Sequence, residues 1–183
     1  MTHKNFTLDG RVIVVTGALG ILGSVYCDIL ADAGATLIMT DLDDVACRKR
    51  ADDLSGKFGR STFGIEVDVG EENSIAAFTA YLDKNNLSPD ILINNAATKS
   101  PRFFSPLEDF PLADWEHVMR TNVTGAFLMT RTLLPGMIKR GGGNIINIGS
   151  IYGLLGPDQR IYEGADYPEL GGAINTPLVY AAS

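Results

Sequence analysis

The segment Thr16-Gly17-Ala18-Leu19-Gly20-Ile21-Leu22-Gly23 follows a short apolar run and precedes a stretch with helical spacing. Three glycines in a strand-to-helix turn let the backbone bend tightly and approach a pyrophosphate, whose charge would meet the opening N–H groups and dipole of the helix. A turn that only packs a helix closely on a strand has the same composition. Asp41 ends the second apolar run, near the offset of about 20 residues at which an acid takes the ribose hydroxyls of a dinucleotide. Its carboxylate would repel a 2′-phosphate, so NAD is expected and NADP is disfavoured. The plainer alternative is a helix N-cap or solvated turn acid, since Asp43 and Asp44 repeat the charge.

Such residues need a scaffold that brings strand ends together. Val12–Thr16 (VIVVT) is β-branched and almost wholly apolar, which predicts a strand buried on both faces, as in a parallel sheet. Ile21, Leu22, Val25, Ile29 and Leu30 then fall at helical spacing up to about Ala33, with Gly34 as the stop. Thr36–Thr40 predicts the second strand, Asp43 to about Lys57 a charged helix ended by Gly59, and Thr62–Val69 the third strand. Glu71 and Glu72 open a helix that carries Ile75, Phe78 and Leu82 on one face, and Ile91–Ile93 is the fourth strand.

Residues 98–113 hold three prolines and predict a loop. From Trp115 to about Lys139 the pattern predicts one long helix with Val118, Asn122, Phe127, Thr130 and Leu134 near a single stripe, stopped by Gly141–Gly143. Asn144–Ile148 is the fifth strand. From Gly149 onward no period is sustained, so a long surface loop is expected. Strands alternating with helices imply an α/β fold, a doubly wound parallel sheet in three αβα layers, whose ligand crevice lies at the carboxyl ends of the strands.

Composition agrees with this class. The 183 residues are 45% hydrophobic and 20% charged, the balance of an ordinary globular domain, and a single domain over 1–183 is expected. Cys27 and Cys47, with no Cys/His cluster nearby, match neither a disulfide framework nor metal-ligand spacing, so a reducing compartment and no metal are expected. The net charge of -7, without a basic run, gives no footprint for nucleic acid. MTHKNFTLDG has no apolar h-region and no stretch approaches a membrane span, so a cytoplasmic protein without membrane contact is expected.

Further motifs stand in order after TGALGILG and Asp41: Asp68 in VDV, DILINNAA at 90–97, Asn122 in TNVTG, INIGS at 146–150, and Tyr180 in YAAS. Together they resemble the short-chain dehydrogenase/reductase family across essentially the whole length. The resemblance implies a Rossmann fold and an NAD-dependent oxidoreductase that moves hydride between nicotinamide and a secondary alcohol or ketone, sugar-like polyols included. The implied cofactor set is Gly17, Leu19, Gly20, Ile21, Gly23, Asp41, Asp68, Val69, Asn95, Ala96 and Ala97, with Asp68 near the adenine amino group. Asn122, Ser150 and Tyr180 match three members of the catalytic set, and a lysine four residues beyond the tyrosine is the fourth. A tyrosine titrates near pH 10 and needs neighbouring positive charge to serve as a base at neutral pH. Tyr180 would exchange the proton with the substrate oxygen, Ser150 would hold that oxygen, and Asn122 would anchor a relay water.

Three departures accompany the resemblance. The implied lysine falls beyond Ser183, as do the family's last strands and helices, so the expectation is a domain incomplete at its C-terminus, with weak or no turnover by itself and a homo-oligomer only in a longer form. Ser150 and Tyr180 stand about twice the usual distance apart, and the intervening PDQRIYEGADYPE is charged and aromatic. The overlapping stretch SIYGLLGPDQRIYEG is similar to a subgroup linked to flagellin modification and nonulosonate biosynthesis. The spacing TGxxGxxG is nearer to the extended branch, which includes sugar-nucleotide epimerases and dehydratases. The alternatives to an oxidoreductase are therefore such an epimerase or a nucleotide-binding module without turnover.

Overall fold

β1 (Val12–Thr16) is buried from Ile13 onward, as a β-branched run covered on both faces must be. The computed structural model describes residues 6–170 and 172–183 and divides into two compact units. The first runs to Ala96 and resumes at Gly125–Ile148; the second comprises Ala97–Thr124 and Gly149–Ser183.

In the first unit, β1, β2 (Thr36–Asp41), β3 (Thr62–Glu66), β4 (Ile91–Asn94) and β5 (Asn144–Asn147) form one parallel sheet in the order β3-β2-β1-β4-β5. Alternate side chains go to opposite faces. Val14, Ile38 and Leu92 meet α3 (Glu72–Lys84) and α5 (Ala126–Lys139) through Ile75, Phe78, Leu82, Met129 and Met137. Ile13, Val15, Leu37 and Met39 meet α1 (Ile21–Asp32) and α2 (Asp44–Phe58) through Cys27, Ala31, Cys47 and Leu54. These are the expected αβα layers, and the strand order reverses between β1 and β4, where such sheets take ligands.

The α1 face differs from expectation. Ile21, Leu22, Val25 and Ile29 are 89%, 52%, 51% and 61% exposed, while Gly23, Cys27 and Ala31 are buried. Small residues let the helix backbone lie close on the sheet, and that close approach wins over burial of the largest apolar side chains. β3 is shorter than expected, ending at Glu66 rather than Val69.

The helix expected as one stretch from Trp115 begins earlier and is interrupted. α4 (Leu112–Met119) is followed by a π-helical turn, Arg120–Gly125, and then by α5. The wider turn breaks the helical period at Arg120–Gly125. Leu128, Met129, Leu133 and Met137 are therefore the buried residues of α5, and Phe127 and Leu134 of the expected stripe turn outward.

In the second unit, Phe103, Val118 and Val179 form a small core with Phe104, Phe110, Trp115 and Met119 packed against it. The stretch after Gly149 is not an irregular loop throughout. It contains 3₁₀ turns at Ile151–Gly153 and Gln159–Tyr162, a short antiparallel ribbon of β6 (Asp166–Tyr167) and β7 (Gly172–Ala173), and α6 (Leu178–Ala182). These elements are too short to leave a period in the sequence.

Candidate nucleotide and catalytic sites

The first unit holds the glycine turn at the carboxyl end of β1. Gly17 has φ +64°, and a Cβ there would stand 2.8 Å from the Ala96 Cα; one on Gly23 would stand 2.1 Å from the Gly17 carbonyl oxygen. Only glycine permits this fold of the chain. Gly20 is the N-cap residue of α1 and offers no side chain, and the first turn of the helix has no acid. Among the described residues no side chain caps its opening N–H groups, whose electropositive character suits a phosphate. Leu19 and Ile21 flank Gly20 in this turn, Ile21 exposed and Leu19 half-buried.

Asp41 closes β2 beside it. One carboxylate oxygen accepts the Leu19 N–H at 2.8 Å and the other the Leu42 N–H at 2.8 Å. The N-cap of α2 is Asp43, whose side chain accepts from the Ala46 N–H at 2.9 Å, so the capping alternative does not apply to Asp41. Asp68 accepts from the Gly70 N–H at 2.8 Å, while its own N–H donates to Ser74 Oγ at 2.9 Å. Val69, next to it, is buried against Gly125.

Asn95 and Ala96 leave β4 locked onto the glycine turn. The Thr16 hydroxyl accepts both of their N–H groups at 3.0 Å, and Asn95 Nδ2 donates to the carbonyls of Thr16 at 2.9 Å and Gly17 at 3.0 Å. Thr16 was not singled out by the sequence; its only signal is a hydroxyl at the end of an apolar strand. Asn94 is a second residue of this kind. Buried, it donates through Nδ2 to Asn147 Oδ1 at 2.8 Å and Thr130 Oγ1 at 3.1 Å. A dinucleotide fits this donor set: an uncapped helix start over glycines, with a carboxylate at the next strand end.

Ala97, exposed, begins the second unit, which also carries the three other candidate residues. Asn122 lies in the π turn; its Oδ1 accepts the Thr98 N–H at 2.9 Å and its Nδ2 donates to Ser183 Oγ at 3.0 Å, next to α6. Ser150 caps the turn Ile151–Gly153, accepting the Tyr152 N–H at 3.2 Å. Tyr180 sits on α6, with its ring edge-on to Tyr152 at 6.3 Å and to Phe103 at 6.3 Å. Tyr152 therefore touches both Ser150, through its backbone, and Tyr180, through its ring.

The inserted segment takes part as well. Tyr162 brings its hydroxyl to 3.0 Å from that of Tyr152. The shared hydrogen bond pushes the Tyr152 phenol up, whereas hydrogen bonds from Thr176 and Tyr152 hold the Tyr162 phenol below its ordinary value. The sequence marked this segment as aromatic but could not pair its rings.

The family profile described as short chain dehydrogenase matches residues 11–165, and the chain belongs to that family. It is 36% identical over 151 residues to 3-oxoacyl-(acyl-carrier-protein) reductase FabG of Aquifex aeolicus, covering 81% of this chain and 59% of that protein. It is 30% identical over 161 residues to cyclopentanol dehydrogenase of Comamonas testosteroni, covering 86% and 62%. The crystal structure of gluconate 5-dehydrogenase from Burkholderia cenocepacia, in complex with NADP and tartrate, has a TM-score of 0.79 and 29% identity, covering 97% of this chain and 61% of that one. The chain thus spans about three fifths of the length of the relatives it matches.

Proposed function

We propose that the chain is the nucleotide-binding and catalytic part of an NAD-dependent oxidoreductase acting on a secondary alcohol or ketone, with sugar-like polyols as the substrate class. The observation that carries the cofactor choice is Asp41. Its carboxylate stands against the glycine turn, with Asp43 and Asp44 following it, and such a cluster favours ribose hydroxyls over a 2′-phosphate. The gluconate 5-dehydrogenase relative was solved with NADP, so cofactor choice is the first point to measure. Relatives named for cyclopentanol, gluconate and 3-oxoacyl groups support a cyclic or open-chain secondary alcohol and its ketone.

The bound dinucleotide would supply the hydride donor or acceptor. Gly17, Leu19, Gly20, Ile21 and Gly23 would hold its diphosphate, Asp41 its ribose, and Asp68, Val69, Asn95, Ala96 and Ala97 the adenosine side. Ser150 already accepts one N–H, so its own O–H remains to donate to a substrate oxygen. Tyr180, 38% exposed, exchanges the proton with that oxygen. Asn122 is held at both ends of its amide and orients the chain and water beside α6. A single domain formed by both units, a cytoplasmic setting and homo-oligomers belong to the same proposal. Phe127 and Ile138, outward on α5, support association. Among the described residues no helix is long and apolar enough to cross a membrane.

The test is a panel of cyclic alcohols and polyols with NAD, followed by NADH absorbance, on the whole oxidoreductase of which this chain is a part and on its Tyr180→Phe variant. Turnover lowered about 10²-fold or more in the variant, with NAD affinity kept, supports the assignment. Equal turnover in both removes Tyr180 from the chemistry.

A further inference from the structure

The second unit contains a cavity of about 480 Å³ that Asn122, Ser150 and Tyr180 do not line. Its size is that of a small-molecule site. Trp115 and Phe110 provide aromatic walls, Leu178 and Pro177 apolar ones, and Glu108 and Asn175 are among the polar residues of the lining.

The walls are fixed by groups that leave little room to collapse. Gln159 pairs with both backbone ends of Thr176, donating to its carbonyl at 3.0 Å and accepting its N–H at 2.9 Å. Pro106 and Pro157, in the lining, each remove a backbone rotation. The inserted segment thus builds one side of the cavity, and the loop before α4 builds the other.

Charge selects the occupant. Among the described residues Glu108 is the only ionisable one that lines the cavity, and no lysine, arginine or histidine lines it. An anion would meet a carboxylate and nothing to neutralise it, whereas a cation gains both the carboxylate and the indole face. A neutral ligand gains the aromatic walls alone. We infer that this cavity is a binding site for a small organic ammonium ion with an apolar or aromatic body, separate from the proposed hydride-transfer site.

Trp115 is the chain's one tryptophan, so its fluorescence reports occupancy directly. The experiment titrates the protein with phenethylamine, phenethyl alcohol and phenylacetate, and repeats the amine on Glu108→Gln. The expected result is a saturable change with the amine, binding about fivefold weaker for the alcohol and no saturation with phenylacetate. Glu108→Gln, an exposed substitution that spares the fold, should lower the amine to the affinity of the alcohol. Equal response to all three probes, no saturable response to the amine, or unchanged amine affinity in Glu108→Gln would each overturn the inference. Nucleotide titration on the same samples reads the other site independently.

Discussion

The Asp41 carboxylate and the Leu19 backbone N–H are joined at 2.8 Å, so the last residue of β2 is tied into the glycine turn after β1. Each carboxylate oxygen holds one N–H, from Leu19 or Leu42, and each retains a further lone pair. The acid is thus oriented by the turn and still able to accept from ribose hydroxyls. On the proposed reading, Asp41→Asn should weaken NAD binding by about tenfold and narrow the preference over NADP, because hydrogen bonds to a charged acceptor contribute about 1.5–3 kcal/mol. Calorimetric titration of both nucleotides checks this; an unchanged ratio of affinities would take Asp41 out of the site.

Gly23 and Gly56 both lie inside helices, yet substitution should act in opposite directions. A Cβ on Gly23 would stand 2.1 Å from the Gly17 carbonyl oxygen and 2.9 Å from the Ala18 Cα, so Gly23→Ala must push α1 off the sheet. A loss of about 2 kcal/mol or more is expected. At Gly56, exposed on α2, an added methyl meets nothing within 4 Å, and Gly56→Ala should gain about 0.5–1 kcal/mol. Urea unfolding midpoints distinguish the two, and equal shifts would contradict the packing described for α1.

Thr16 offers a sharper test of the link between the strands. Its buried hydroxyl accepts from both Asn95 and Ala96 and donates to the Ile93 carbonyl at 3.3 Å. Thr16→Val keeps the shape and strands these N–H groups, at about 1–3 kcal/mol for an unsatisfied buried group. Thr16→Ser keeps the hydroxyl and should recover most of the loss. If valine and serine are equally stable, the hydroxyl does not hold β4 to the turn.

Legibility in the sequence tracks how local each signal is. The strands were legible because β1, β2 and β4 are buried on both faces and so apolar almost without interruption. The turn at Gly17–Gly23 and the acid at Asp41 were legible because backbone geometry and charge dictate residue type there. The burial of α1 was misread because Gly23, Cys27 and Ala31 contribute closeness rather than hydrophobicity, which a pattern of large apolar residues does not register. The stripe across Phe127 and Leu134 failed because nothing local announces the π turn at Arg120–Gly125. Thr16 and the Tyr152–Tyr162 contact depend on partners distant in sequence or on ring orientation, which spacing alone cannot specify.

Cys27 and Cys47 carry a prediction about alkali that does not depend on function. Burial pushes the Cys27 thiol up to about 12 and the Cys47 thiol up to about 11, from an ordinary value near 8.5. Cys47 also donates to the Met39 carbonyl at 3.2 Å, so both thiols are packed as neutral groups in the layer beneath α1 and α2. A thiol reagent at pH 8 should therefore leave both unmodified in the native chain and titrate both after denaturation. The folded state keeps these protons where the unfolded chain gives them up. Their contribution is intact below about pH 8.5 and falls as pH rises toward about 11 and then about 12. Denaturant midpoints measured at pH 8 and pH 10 should show lower stability at the higher pH. Rapid native labelling, or a midpoint insensitive to alkali, would place one or both sulfurs at the surface.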